Sequence, residues 1–444
     1  MATAVCNEIC NSCGFVRSAS QSHVYDNDSD AECNICEKVR YYSFTISEDN
    51  AIITCCDNSI NGNITIPSTL SGYPVTSIYD FAFANCSYLT NVVIPESVTN
   101  IGESVFYACE SLTNIQVVPN NNYYSSQDGV LFNKDKTILI SFPGGKSGEY
   151  LVPNTVTTIG QSAFYSCNSL TGVTIGDSVT AIGDFAFYFC SSIESVIIGN
   201  SVTTLGFAAF SGCSSLTELT IGENITIIND EAFSYCSSLS SVTIPKSVTS
   251  IGNCAFYDCD SLVNLNISNS VISIGDCAFS SCELLENVLI PDSVITIGDS
   301  AFLSCNSLTN LTLGEGVTTI CDYAFSWCES IASVTIPNSV MTVGIRAFYG
   351  CDLLADVYYQ GSKQDAQNIS IASDNDNLTN AVWHYILKND LNGDGYIDEN
   401  DFQYIVNVYT GKVKVDNKAE ICDMNGDGRF DIRDIIAIRE IINA

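Results

Sequence analysis

Two stretches near the end of the sequence carry the residue types best suited to chemistry: DLNGDGYIDEND at 390–401 and DMNGDGRFDIRD at 423–434. In the first, side-chain oxygens fall at positions 1, 3, 5, 9 and 12: Asp390, Asn392, Asp394, Asp398 and Asp401. Tyr396 at position 7 can add its backbone carbonyl. The second repeats the pattern with Asp423, Asn425, Asp427, Asp431 and Asp434, and has Arg429 at position 7. Hard oxygens gathered within twelve residues suit a hard cation, and Gly395 and Gly428 at position 6 permit the sharp turn that such a loop needs. The reading is two calcium ions, one per loop. Position 12 is Asp where Glu is common.

A second cluster lies at the other end. Cys10-x2-Cys13 and Cys33-x2-Cys36 have the spacing of a zinc site, with Cys6 and His23 as further candidates. Four thiolates would close a structural Zn2+ tetrahedron and leave no open position for catalysis. Two disulfides in a small terminal segment, or a disordered tag, are the alternatives.

Little else in the chain suits catalysis. There are two histidines, His23 and His384, and no HExxH, G-x-S-x-G or phosphate-binding glycine loop. Acids such as Asp177, Asp184, Asp276 and Asp299 sit at turns, where they read as solvated rather than paired in a cleft. The expectation is therefore no enzyme. With 50 acidic against 16 basic residues the surface repels nucleic acid. No apolar run approaches the roughly 18 residues that span a bilayer. The opening MATAVCNEIC has no basic n-region or long apolar h-region, so no signal peptide is expected there and location is argued from the modules.

The elements between the two ends are set by a beat. Cysteines recur every 23 residues from Cys167 to Cys351, and Cys86 and Cys109 keep the same step. A fixed period of this size marks a solenoid. One repeat, SLTGVTIGDSVTAIGDFAFYFC at 169–190, shows the skeleton L-x-x-V-x-I, V-x-x-I-G, A-F-x-x-C. Leu170, Val173 and Ile175 form a strand-like inward set, Val179 and Ile182 a second, and each coil should stack one Phe and one Cys on the next. The cysteines read as buried, reduced, small hydrophobes. Gly183 is expected to take a positive φ at a turn. The segment 114–150 breaks the beat and separates Cys109 from Cys167 by 58 residues. A row of Tyr107, Tyr165, Tyr188, Tyr257 and Tyr349, with Trp327 nearby, reads as partly buried packing or as a surface for a glycan or a protein. Residues 151–351 hold 17 acids and 2 bases, which favours a basic protein partner.

The skeleton resembles the BspA-like leucine-rich repeats over residues 42–387, with caps at both ends. The duplicated loop, each copy opening a helix (DFQYIVNVY at 401–409 and DIIAIREII at 434–442), resembles a type I dockerin over 388–444. The fold class is thus a mainly β solenoid plus a small α-helical calcium-binding module with two EF-hand-like loops. Ahead of them, residues 1–41 form a Cys-rich segment. The dockerin resemblance implies a cohesin of a scaffoldin as partner. It implies recognition through Glu399, Asn400, Val406 and Asn407 in the first repeat and Ile432, Arg433, Arg439 and Glu440 in the second. Glu-Asn against Ile-Arg differ chemically, so one docking orientation is expected. Together the resemblances imply a secreted, non-catalytic cellulosome component displaying a ligand-binding solenoid during plant polysaccharide degradation. Alternatives are a cell-surface adhesin binding a host or bacterial protein, and a polysaccharide hydrolase subunit. An exported chain with so many thiols points to an anaerobic bacterium. The ligand of the repeats is an unknown protein or glycan.

Overall fold

A computed structural model describes residues 42–386, 389–393, 396–415, 422, 424 and 429–442, with the backbone alone of 3–5, 22–24 and 443. Cys10, Cys13, Cys33 and Cys36, named above for zinc, lie outside the described residues. Two compact units are formed, residues 1–262 and 263–444.

Both units are built from β-solenoid coils, and the 23-residue period sets the strand register. In the first unit Gly148–Leu151, Leu170–Ile175, Ser195–Ile198 and Glu218–Thr220 pair in parallel, Val173 facing Val196 and Val196 facing Leu219. A second ladder joins the two-residue strands, with Ile159 beside Ile182 and Ile182 beside Leu205. The second unit repeats both ladders: Asn287–Leu289 to Val382–Tyr385 on one side, Ser273–Ile274 to Ser370–Ile371 on the other. Alternation within Leu170–Ile175 sends Leu170, Val173 and Ile175 inward and leaves Thr174 exposed.

The third side of each coil is a turn that carries A-F-x-x-C. Its Phe rings stack, Phe164, Phe187, Phe210, Phe233 and Phe256 in the first unit, and Phe142 of the irregular coil joins them ahead of Phe164, with centroids 4.4–5.5 Å apart. Phe279, Phe302, Phe325 and Phe348 stack at 5.2–5.4 Å in the second. The cysteines do more than fill space. Cys190 Sγ donates to the Phe164 carbonyl at 2.9 Å, and Cys213, Cys236, Cys305, Cys328 and Cys351 repeat the contact one coil on. Cysteine is therefore both small enough for the core and a second donor to a buried carbonyl that already accepts the amide three residues on. Burial pushes the Cys236 and Cys351 thiols up to about 12, which keeps them protonated and unreactive at neutral pH.

Two expectations are corrected. Gly183 does not take a positive φ. A Cβ there would lie 2.7 Å from the Gln161 nitrogen of the preceding coil, and one at Gly206 would lie 2.4 Å from Asp184 N. These glycines let backbones approach. The turn acids are also not merely solvated: Asp184 Oδ1 accepts the Phe207 amide at 2.8 Å, and Asp276, Asp299 and Asp322 each accept the amide 23 residues on.

The left-handed conformation instead falls five residues and one residue before each ladder Cys, and mostly on non-glycine residues: Phe185 and Phe189, Ser300 and Ser304, Tyr323 and Trp327. Gly212 and Gly350 occupy the second of these positions in their own coils. Ser304 (φ 61°) is half-buried and its amide already bonds Ser326 O. Replacing its side chain removes the Cβ clash that disfavours this conformation. Ser304→Gly is expected to raise stability by up to about 1 kcal/mol, offset in part by a freer unfolded chain. Urea midpoints at unchanged slope would measure it, and a loss of stability would refute it.

The ends are closed. Tyr42–Ser47 and Asn50–Cys56 pair antiparallel, and the latter joins Tyr73–Ile78 in parallel. At the other end Asn375 (2% exposed) accepts the Phe348 amide and donates to Gly344 O. A single buried carboxamide thus takes up the amide that a further coil would have bonded. His384 Nε2 lies 2.6 Å from Asp356 Oδ1, with its ring on Tyr358, in the terminal strand pair.

Candidate functional site

In the segment after 388 each loop is folded around the carboxylate at its twelfth position. Asp401 is fully buried. Its Oδ1 accepts the amides of Leu391 (2.7 Å) and Asn392 (3.1 Å), and its Oδ2 accepts Asp398 N at 2.8 Å. Asp434, equally buried, does the same in the second loop: Met424 N at 3.0 Å and Asp431 N at 2.7 Å. The residues at position 9 then cap the helices that follow. Asp398 accepts Asn400 N, and Asp431 accepts Arg433 N. The helices run Glu399–Tyr409 and Ile432–Asn443, each starting two residues before the stretch chosen from sequence, because the position-9 carboxylate satisfies the first free amides.

Of the proposed cation ligands, Asp390, Asn392, Tyr396, Asp398, Asp401, Arg429, Asp431 and Asp434 are described. Asp394, Asp423, Asn425 and Asp427 lie outside the described residues. Among the described residues no three acidic, His or Cys groups converge on one point. The donor set nevertheless fits a hard cation: oxygens only, with a buried carboxylate at each loop's end that has lone pairs to spare beyond its amide bonds.

The two helices pack antiparallel through Ile405, Val408, Ile435 and Ile438, joined by Cys422. Tyr409 at the end of the first meets Phe430 just before the second, with centroids 6.0 Å apart. At the opposite end Arg439 forms a forked ion pair with Glu399 and lies over the Phe402 ring at 3.5 Å from its centroid. Residues assigned above to separate repeats thus share one patch. The Arg439 guanidinium holds the Glu399 carboxyl below its usual range. Arg433 is turned back on Asp431, whose carboxyl it holds down at about 2. Asn400, Ile432 and Glu440 are exposed, Asn407 is half-buried, and Val406 packs partly against the helix core. Sequence reading missed Ile436. It is 53% exposed one turn from Ile432, which is 51% exposed. The signal was there in the i, i+4 spacing of two apolar residues.

The aromatic row breaks into clusters. Tyr107 meets Tyr165 at 4.4 Å and Tyr165 meets Tyr188 at 5.1 Å. Tyr257 meets Tyr235 at 5.3 Å. In the second unit Trp327 meets Tyr349 at 5.4 Å, and Arg346 lies against Tyr349 and Tyr323.

Among known families, the BspA type leucine rich repeat region matches in six copies, over residues 54–147, 141–263 and 249–375. The dockerin type I domain matches residues 388–443. Solved structures similar to this chain include a leucine-rich repeat protein from Eubacterium ventriosum (26% identity, TM-score 0.50, 56% of this chain and 80% of that one). Another is a leucine rich cell surface protein from Faecalibacterium prausnitzii (25%, TM-score 0.43, 75% and 97%). A third is a leucine-rich repeat protein from Bacteroides ovatus (24%, TM-score 0.41, 78% and 99%). No curated protein matches.

Proposed function

The chain belongs to the BspA-type leucine-rich repeat family and ends in a dockerin type I domain, and on that premise we propose that it is a non-catalytic, extracellular component of a cellulosome-type assembly. Its C-terminal module docks on a cohesin and its repeats hold a protein ligand. The observation that carries this reading is the pair of loops around Asp401 and Asp434, each feeding a capped helix of one antiparallel pair. The loops would hold Ca2+ through Asp390, Asn392, Asp394, Tyr396, Asp398 and Asp401, and through Asp423, Asn425, Asp427, Arg429, Asp431 and Asp434. The ion supplies the positive charge that lets these carboxylates crowd together. The residues around them present the helices. Binding energy would come from exposed Ile432 and Ile436 and from the Glu399–Arg439 patch.

The acidic excess of residues 151–351 favours a basic protein over a glycan as the repeats' ligand. Calorimetric titration of the full chain against a panel of type I cohesins, with Ca2+ and then with chelator, tests the docking. Failure to bind any cohesin while the loops still take up Ca2+ would overturn it.

The ion pair adds a sharper expectation. Glu399→Ala and Arg439→Ala should each weaken cohesin binding by up to about tenfold, and the double variant no more than the stronger single one, since both break one contact. Additive losses would show that the two residues touch cohesin separately.

A further inference from the structure

The break in the 23-residue beat has a structural consequence. In a regular coil twelve residues link the short strand to the long one: Gly183 to Glu194 join Ala181–Ile182 to Ser195–Ile198. In the coil 137–151 the short strand Ile138–Ser141 is followed by only Phe142 to Ser147 before Gly148–Leu151. This coil has its strands and its stacked Phe (Phe142 on Phe164, 4.8 Å) but only the tight turn closed by Lys146 N on Pro143 O in place of the A-F-x-x-C turn. A cleft of about 430 Å³ lies between the turns on either side, 102–107 and 160–165. Its size is that of a small-ligand site.

The missing turn leaves its neighbours' backbone groups without their usual partners. In the coil before, the amides of Phe81, Phe83 and Asn85 donate to Glu103, Val105 and Tyr107. In the coil after, those of Ser162, Phe164 and Ser166 donate to Asp184, Ala186 and Tyr188. The equivalent amides here are Ser104 and Phe106, which line the cleft, and Ala108 just beyond its lining, and none has a hydrogen-bond acceptor among the described residues. Phe106 is buried. On the facing turn Ala163 O accepts Phe142 N at 2.7 Å, and among the described residues Gln161 O accepts no hydrogen bond and Tyr165 O has only a 4.0 Å thiol contact. Buried amides without partners are rare and call for an explanation.

We propose that the cleft between turns 102–107 and 160–165 binds an extended peptide segment of a partner protein, which takes the place of the missing turn. The donors Ser104 and Phe106 alternate at i and i+2 on one wall, with Ala108 at i+4 just beyond it, and carbonyls at Gln161 and Tyr165 stand on the other. A peptide strand offers carbonyls and amides at that same two-residue repeat, whereas sugar hydroxyls have no such period. Tyr107 and Tyr165, in contact at 4.4 Å, stand at the cleft as rings on which a side chain can lie. Both charged residues of the lining, Asp80 and Glu103, are acidic, so the peptide should carry Lys or Arg. This rests on the reading that the repeats bind a protein and names the site and the class of segment.

The test uses the full chain in Ca2+ and a displayed library of linear random octapeptides, with hydrogen exchange read at Ser104, Phe106 and Ala108. These amides should exchange fast in the free protein, unlike Phe185, Phe187 and Phe189. Selected basic peptides should slow them. Gln161→Trp, an exposed position that fills the cleft, should weaken the peptides about tenfold or more, and Glu103→Lys should do so by charge. Methylating alternate peptide nitrogens should abolish binding. Peptides bound equally well by Gln161→Trp would overturn the cleft as the site while keeping a protein-binding repeat domain. Protection of the three amides by cello-, xylo- or manno-oligosaccharides instead of peptides would overturn the ligand class. No protection by either probe would overturn the proposal outright. Cohesin titration of the same variants should be unchanged, which separates failure here from failure of the docking module.

Discussion

With chelator in place of Ca2+, the full chain is expected to lose cohesin binding by about 1,000-fold or more, and the helices Glu399–Tyr409 and Ile432–Asn443 are expected to lose their hydrogen-exchange protection while the repeat coils keep theirs. The reason is the small size of what holds the helix pair. Its fully enclosed core is Ile405, Val408, Cys422, Ile435 and Ile438. A segment of this size does not bury enough apolar surface to hold itself without a metal or a crosslink. Each loop places several carboxylates within twelve residues, Asp390, Asp398 and Asp401 in the first and Asp431 and Asp434 in the second, and a bound cation would offset their negative charge. The helix starts depend on the loops in turn, since Asp398 and Asp431 are their caps. Loss of the ion should therefore release loops and helices together. The coils rest on stacked Phe and backbone ladders that involve none of these residues. Two thermal transitions are expected in Ca2+, of which chelator removes one. Asp401→Ala, which deletes the acceptor of three loop amides, should act on the same transition alone. Helices that stayed protected in chelator would sink the calcium reading.

The parts of the molecule that were legible in sequence are those written as side-chain periodicity. The 23-residue step places Phe187 on Phe164 and Val196 beside Val173, and the sequence states that step nine times over. The twelve-residue phrases state their oxygens as directly. What stayed hidden depends on backbone geometry. Gly183 and Gly206 look like turn glycines, yet their role is close approach to the coil before, which only the stacked structure reveals. The left-handed positions have no residue signature, because Phe, Ser, Tyr, Glu, Cys and Arg all occupy them. The missing turn was visible as a broken beat, but its consequence, idle amides at Ser104 and Phe106 lining a cleft and a third beside it, needed the coils on either side to be placed. In the helix pair the Arg439–Glu399 contact links residues 40 apart, which spacing within either repeat cannot foretell.

The largest effect on the repeats is expected from Phe210→Ala, at about 3–5 kcal/mol. Phe210 is fully buried between Phe187, 4.7 Å away and tilted by 4°, and Phe233, 5.5 Å away and tilted by 7°. Its amide donates to Ala232 O and its carbonyl accepts the Cys236 thiol, both in the next coil, while the adjacent Ala209 O accepts Phe187 N from the coil before, so backbone bonds on both sides fix the coil spacing. The walls cannot close on the space the ring leaves, and the full cavity term adds to the lost transfer energy. Each coil contacts only its neighbours, so the variant weakens both interfaces of one coil at once. Unfolding of the array should lose cooperativity, with a shallower urea slope. Phe106 supplies the control. It meets Phe83 at 5.5 Å on one side and borders the cleft on the other, so Phe106→Ala leaves less new space and should cost about 2–3 kcal/mol. Equal losses for the two variants would mean that ring stacking between coils contributes little. The ladders of thiol, carboxylate and amide bonds would then be the main source of the solenoid's stability.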